Sequence, residues 1–298
     1  MFKNLILPID GSALSALAIP LAIRLAHAFR AKLHIVRVHV STPDTPDQSA
    51  AVSLDETLRD IEREKLDAIV QTSASASVST TAELLEGPVV PALERYVKAV
   101  GVDLVIMATH GRSGIKRAVL GSVAERFVHK SAAPVLLLHA KSDHDAVRTD
   151  LADLKRVLVA LDGSPESEAI LPYANALARL CSAELVLMQT AAPIFEAASV
   201  LVPEVLYGEE VTDAGRADEY LQWVAKRQSA SLRVRTTVKR AASVTEGILQ
   251  CAREESADLI AMSTHGRDGW SRVALGSVAE SVMRHTDIPV LMLRTPAG

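Results

Sequence analysis

At 298 residues the chain has room for two domains of ordinary size, each able to bury a core. Its hydrophobic fraction is 49% with aromatics at only 3%, so the apolar content is mostly Ala, Val, Leu and Ile, as parallel strands covered by helices require. A net charge of −4, with no basic tail and no basic patch interleaved with aromatics, excludes general nucleic-acid binding.

The N-terminal apolar run within Met1 to Asp10 is too short for a signal peptide or a membrane span and reads as a strand, Leu5 to Ile9. Asp10-Gly11-Ser12 follows, and Ser12 caps a helix from about Ala13 to Arg30 whose apolar stripe includes Leu14, Leu17, Leu21 and Leu25. Lys32 to Val40 is the second strand. A Pro/Asp/Ser/Thr loop, Ser41 to Ser49, leads to a charged amphipathic helix around Leu54 to Val70. A third strand lies near Val78 to Leu85; Gly87-Pro88 breaks it, and a helix runs to about Ala99. Asp103 to Ala108 is a fourth strand, and Pro134 to His139 closes the unit as a fifth.

Residues Lys141 to Asp153 are polar and without periodicity, and then the pattern restarts. Val157 to Ser164 repeats Leu5 to Ser12, Ala183 to Thr190 repeats Ala31 to Val38, and Pro289 to Arg294 repeats Pro134 to His139. Asp10 and Asp162 are 152 positions apart, and Gly121 and Gly276 are 155 apart. That period fits a duplicated domain and is too long for a solenoid repeat. The expected division is a first domain over 1–142, a linker over 143–153 and a second domain over 154–298. Cys181 and Cys251 lie on apolar helical stretches without ligand spacing and are expected to be buried thiols in a reducing compartment. A soluble, cytoplasmic protein is the expectation.

The stretch after the fourth strand is the most informative. Ala108-Thr109-His110-Gly111 is followed by a glycine-bearing basic loop and by Leu120-Gly121-Ser122-Val123-Ala124-Glu125; Ser263-Thr264-His265-Gly266 leads likewise to Leu275-Gly276-Ser277-Val278-Ala279-Glu280. Ser122 with Glu125, and Ser277 with Glu280, read as capping boxes at the start of a helix. Other first-turn amides and the positive end of the helix dipole then face a loop that keeps Arg112 and Arg117, or Arg267 and Arg272, which suits a phosphate. The same glycines and serines also serve a plain tight turn and cap, and a solvated basic loop is the second reading.

Alternating strands and helices imply a parallel sheet covered on both faces, with ligands beyond the carboxyl ends of the strands. Asp10 and Asp162 end the first strands and share that rim with the glycine loops. They suit hydrogen bonds to a base or a ribose hydroxyl, or simply the Asp-Gly-Ser turn. His110 and His265 have no nucleophile or carboxylate at a suggestive spacing and read as packed loop anchors. The chain has no Walker-type lysine motif, no nucleophile elbow and no His/Asp/Glu cluster at metal spacing, so no catalytic residue is assigned.

In these motifs each half resembles a universal stress protein domain: strand into Asp-Gly-Ser, Thr-His-Gly, nine residues, then Gly-Ser, a helix and a Pro-Val-Leu strand. The resemblance implies two similar doubly wound α/β parallel-sheet domains of the adenine nucleotide alpha hydrolase type, forming an intramolecular pseudo-dimer through their last strands, with a further homodimer as an extension. It implies ATP as the ligand, with ADP or AMP as alternatives, and leaves Mg²⁺ and the protein partner unread. The adenine side would be Pro8, Asp10 and Val38 in the first half and Ala160, Asp162 and Thr190 in the second. The phosphate side would be Gly111, Gly121, Ser122 and Val123, with Gly266, Gly276, Ser277 and Val278 as counterparts, preceded by Met107 and Met262. The family's first glycine is replaced by Ala108 and Ser263. Apolar Val38, where the second half has Thr190, favours the first half as the tighter site. Three functions follow: a nucleotide-binding stress-response or regulatory protein, a slow ATPase, or a dimerisation scaffold with empty pockets.

Overall fold

The structure is a computed structural model and describes residues 2–41, 48–74, 76–109, 121–139, 154–191, 205–264 and 276–295. The chain divides into two compact units, Met1–Leu151 and Ala152–Gly298. The segment expected as a linker lies outside the described residues.

In the first unit, strands β1 (Asn4–Pro8), β2 (Lys32–His39), β3 (Thr80–Glu86), β4 (Leu104–Ala108) and β5 (Val135–Leu138) form a sheet in the order β3-β2-β1-β4-β5. All of its pairings are parallel, for example Asn4 beside Lys32 and Leu5 beside Leu104. The chain winds outward from β1 to β3 and then restarts at β4, so strand order reverses between β1 and β4, the place where sheets of this kind bind ligands. The second unit repeats the order as β8 (Arg233–Arg240), β7 (Glu184–Ala191), β6 (Arg156–Ala160), β9 (Leu259–Ser263) and β10 (Val290–Leu293), again parallel throughout. Asp103 accepts hydrogen bonds from the amides of Lys3 (2.6 Å) and Asn4 (2.9 Å), and Asp258 accepts from those of Lys155 (2.9 Å) and Arg156 (3.0 Å). The same carboxylate staple therefore joins the starts of the two central strands in each unit.

The helix expected over Ala13–Arg30 is two helices, α1 (Ala13–Leu17) and α2 (Ile19–Phe29). Pro20 has no N–H and its ring excludes the carbonyl four residues back, so the helix must restart there. Pro172 does the same between α6 (Pro165–Glu168) and α7 (Leu171–Cys181). The remaining helices are α3 (Gln48–Ala74), α4 (Val89–Val100), α5 (Ser122–Val128), α8 (Val205–Lys226), α9 (Val244–Glu254) and α10 (Ser277–His285). Among the described residues no helix is long and apolar enough to cross a membrane. Cys251 is buried as expected, whereas Cys181, the last residue of α7, is only partly covered; burial pushes both thiols up to about 11.

Alternation along β2 shows how the layers are placed. Arg37 and His39 meet α3, whereas His34 meets Tyr96 of α4, so these helices cover opposite faces of the strand. His34 is 4% exposed; its Nδ1 lies 3.0 Å from the Tyr96 hydroxyl and 3.1 Å from that of Thr81, while Nε2 is buried without a partner. Burial, with Lys32 nearby, holds this imidazole below its ordinary value. Below about pH 6.5 the unfolded chain therefore takes up a proton that the folded chain refuses, and stability falls as pH falls. Replacing His34 with the valine that stands at the equivalent Val186 is expected to shrink the loss of the urea midpoint between neutral and mildly acidic buffer. An unchanged pH slope would rule out His34 as its source.

Candidate nucleotide site

The carboxyl rim of each sheet carries two turns. After β1, Ile9 keeps a sheet bond to the Val36 carbonyl (2.8 Å), and the chain then turns at Gly11, φ +80°, a conformation that favours glycine. Asp10 Oδ1 accepts from the Ser12 amide (2.9 Å), and Ser12, as expected, caps α1 by accepting from the Ser15 amide (3.1 Å). Burial raises the Asp10 carboxyl, but hydrogen bonds from Ser12 and Ser15 outweigh it and hold the group below the ordinary carboxylate value. In the second unit Asp162 Oδ1 accepts from the Ser164 amide (2.9 Å) and hydroxyl (2.6 Å), and Gly163 has φ +84°. Both aspartates thus make the Asx turn and remain only half-buried at the rim.

The second turn corrects the reading of Ser122 and Ser277 as caps. The N-caps are Gly121 and Gly276, in extended conformation, and neither helix has a side-chain cap bond. The Gly121 carbonyl already accepts from Glu125 (2.9 Å) and the Gly276 carbonyl from Glu280 (3.1 Å), which places each serine one step inside its helix, where its hydroxyl cannot serve the N3 amide. Glu280 does not reach back either; its Oε1 takes the Arg284 guanidinium at 2.8 Å and 3.1 Å. The first-turn amides are therefore less blocked than the sequence implied.

What holds each helix start over the sheet is backbone. The Gly121 amide donates to the Thr109 carbonyl (2.5 Å) and the Gly276 amide to the Thr264 carbonyl (3.0 Å), while both threonines keep sheet bonds to the last strand. A Cβ at Gly276 would lie 2.5 Å from that Thr264 oxygen, so close approach of main chain to main chain is the reason for glycine. Met107 and Met262 are buried beneath the turns; Ser122, Val123 and Ser277 face outward. Gly111 and Gly266, together with His110, His265 and the four loop arginines, lie outside the described residues.

Pro8, Val38 and Ala108 are partly exposed at the strand ends, and Ala160 is nearly buried. The second unit differs in having three buried, unpartnered hydroxyls, on Thr190, Ser263 and Thr295. Thr190 packs against α9, where a Cβ on Gly247 would come within 2.6 Å of its Oγ1, and that oxygen is buried without a partner. Ser263 is 7% exposed and its Oγ is likewise unpartnered. Uncapped helix amides, a glycine-lined approach and orphaned hydroxyls form a donor set suited to a polyanionic, hydrogen-bonding ligand. Among the described residues no group of three or more His, Cys, Asp or Glu could hold a metal ion.

The site contains a charged cluster that the sequence reading passed over. Arg37 and His39, buried on β2, engage Glu62 and Asp55 of α3, and the Arg37 guanidinium lies against Gly11. The signal was present as Arg37 and His39 two positions apart, on one face of a strand that carries Lys32 and His34 on the other.

Two parallel doubly wound α/β units thus each carry an aspartate turn and a glycine-capped helix start on one rim. The model of the universal stress protein family matches residues 1–139 and 153–294, and the chain belongs to that family, twice over. A universal stress protein of Methanocaldococcus jannaschii is 29% identical over 140 residues, covering 46% of this chain and 82% of that one. One from Mycobacterium tuberculosis is 25% identical over 222 residues, covering 74% and 71%. The crystal structure of a universal stress protein from Archaeoglobus fulgidus superposes with a TM-score of 0.71 at 21% identity, covering 98% of each chain. A functionally unknown protein of Pseudomonas aeruginosa gives 0.62 at 18%, covering 99% and 93%. These likenesses show a shared fold.

Gly276→Ala is expected to destabilise the second unit by about 1–3 kcal/mol, because the new methyl must displace the Thr264 carbonyl or break its bond. Chemical denaturation of the full chain measures this; a wild-type midpoint would show that the backbone approach is looser than described.

Proposed function

We propose that the chain is a stress-response regulator that binds an adenine nucleotide, ATP first, in the crevice of each unit. The base side would rest against Pro8, Asp10 and Val38 or Ala160, Asp162 and Thr190. The phosphates would lie at Gly121, Ser122 and Val123 or Gly276, Ser277 and Val278. The observation that carries this reading is the helix start pinned by its glycine amide to the strand-end threonine and left without a side-chain cap, twice, on the rim that bears the aspartate. Thr190 Oγ1 has no partner, so the apolar Val38 side favours the first unit as the tighter site unless the ligand itself satisfies that hydroxyl. The resemblance adds pairing of the halves and of two chains to the proposal, and sedimentation velocity reads the second.

No general base or positioned lysine is assigned, so the nucleotide is held rather than turned over. Denaturing the freshly purified chain and chromatographing the supernatant is expected to release an adenine nucleotide, and added ATP is expected to raise the melting temperature. Absence of both would favour a dimerisation scaffold instead. Sustained phosphate release with Mg²⁺, abolished by Gly121→Val, would establish the ATPase.

A sharper test uses Val123, which is 38% exposed in the first turn of α5. Val123→Asp places a carboxylate beside the expected phosphates while complementing the helix dipole. Together with Val278→Asp it is expected to weaken ATP binding at least about tenfold without lowering the melting temperature. Undiminished affinity would show that the phosphates do not lie there.

A further inference from the structure

His39 lies on β2 between two carboxylates: its Nε2 is 2.9 Å from Asp55 Oδ1 and its Nδ1 2.8 Å from Glu62 Oε2. A neutral imidazole has one N–H and one lone pair, so it can serve only one of them; the imidazolium donates to both. Glu62 is shared, its other oxygen lying 2.8 Å from Arg37 Nη2. Arg37 in turn is buried against Gly11, so tightly that a Cβ there would collide with Nη1. The charged groups around His39 are Asp55, Arg59 and Glu62 of α3, Glu86 of β3 and Arg37 of β2. Arg59 bridges Asp55 (3.0 Å) and Glu86 (3.1 Å). With His39 protonated, the three cations of the cluster balance its three carboxylates, Asp55, Glu62 and Glu86; with His39 neutral, a partly buried carboxylate faces a ring lone pair.

We propose that Arg37 is a positioning residue for the first unit's crevice: through Glu62 it couples the Asp10-Gly11-Ser12 turn to the protonation of His39. The second unit, with Gln189 and Ala191 at the equivalent positions, lacks this coupling. The buried Oε1 of Gln189 has no partner. The two carboxylates raise the His39 imidazole above its ordinary value against the opposing effect of burial. The cation therefore persists above about pH 6.5 and the brace is lost as pH rises further. The effect on ligand binding rests on the nucleotide reading; the effect on the turn does not.

The test follows hydrogen exchange of the Ser12 amide, which bonds to Asp10, with the Ser164 amide of the same full chain as internal control. Between about pH 7 and about pH 9.5, and after correction for intrinsic rate, Ser12 protection is expected to fall about tenfold while that of Ser164 holds. Arg37→Gln is expected to leave Ser12 weakly protected at every pH, Arg37→Lys to restore part of the pH dependence, and His39→Gln to abolish the dependence while keeping the fold. Equal protection of Ser12 in wild type and Arg37→Gln, or a pH dependence that survives His39→Gln, would overturn the proposal. ATP titrations on the Val278→Asp chain over the same range separate the two readings. Loss of affinity in step with Ser12 supports both; no ATP binding with the exchange pattern intact sinks only the nucleotide reading. Constant affinity with flat exchange sinks only the relay.

Discussion

A single backbone hydrogen bond in each unit, from the glycine that begins the last helix to the carbonyl of the threonine that ends the fourth strand of its sheet, governs the arrangement of the rim. It draws the helix start over the strand end, and at Gly276 main chain touches main chain so closely that a side chain would collide. Once the bond is made, the helix dipole and its first amides are aimed at the point where strand order reverses. Because the glycine itself is the cap residue, the cap position supplies no side chain to those amides. An aspartate turn after the first strand completes the rim from the other side, and in the first unit the turn's hydrogen bonds hold the Asp10 carboxyl below its ordinary value.

Around this shared frame the two units have diverged in polarity. The first sets two buried histidines on opposite faces of β2, one held below its ordinary value by burial under α4 and one held above it by two carboxylates of α3. Their protonation acts on stability in opposite directions, His34 penalising acid and His39 penalising base. The second unit has Val186 and Ala191 at those positions and carries unpartnered hydroxyls at Thr190 and Ser263 instead. Duplication preserved the main-chain geometry, while the side chains lining it changed from charged and apolar to neutral and hydrogen-bonding.

Order, type and repetition of the strands and helices were legible in the chain itself, because they depend on local pattern: alternation along β2, the stripe along α2, and the recurrence of Asp-Gly-Ser and Gly-Ser at offsets of 152 and 155. The helix break at Pro20 was equally local, yet the apolar stripe running through it masked it. The capping box was misassigned for a different reason. Ser-Val-Ala-Glu satisfies the capping pattern whether serine stands at the cap or one residue inside, and only the bond from the glycine amide to the threonine carbonyl decides between them.

The sequence by itself determined a duplicated parallel α/β unit and the residue types along its rim, since periodicity, glycine placement and turn chemistry act over a few neighbouring residues. Tertiary structure alone decided which glycine caps, that Thr190 faces Gly247 with its hydroxyl unpaired, and that Arg37, His39, Asp55 and Glu62 form one cluster beneath Gly11. Those facts depend on elements dozens of residues apart being brought within a hydrogen bond's reach, and no local pattern encodes that distance.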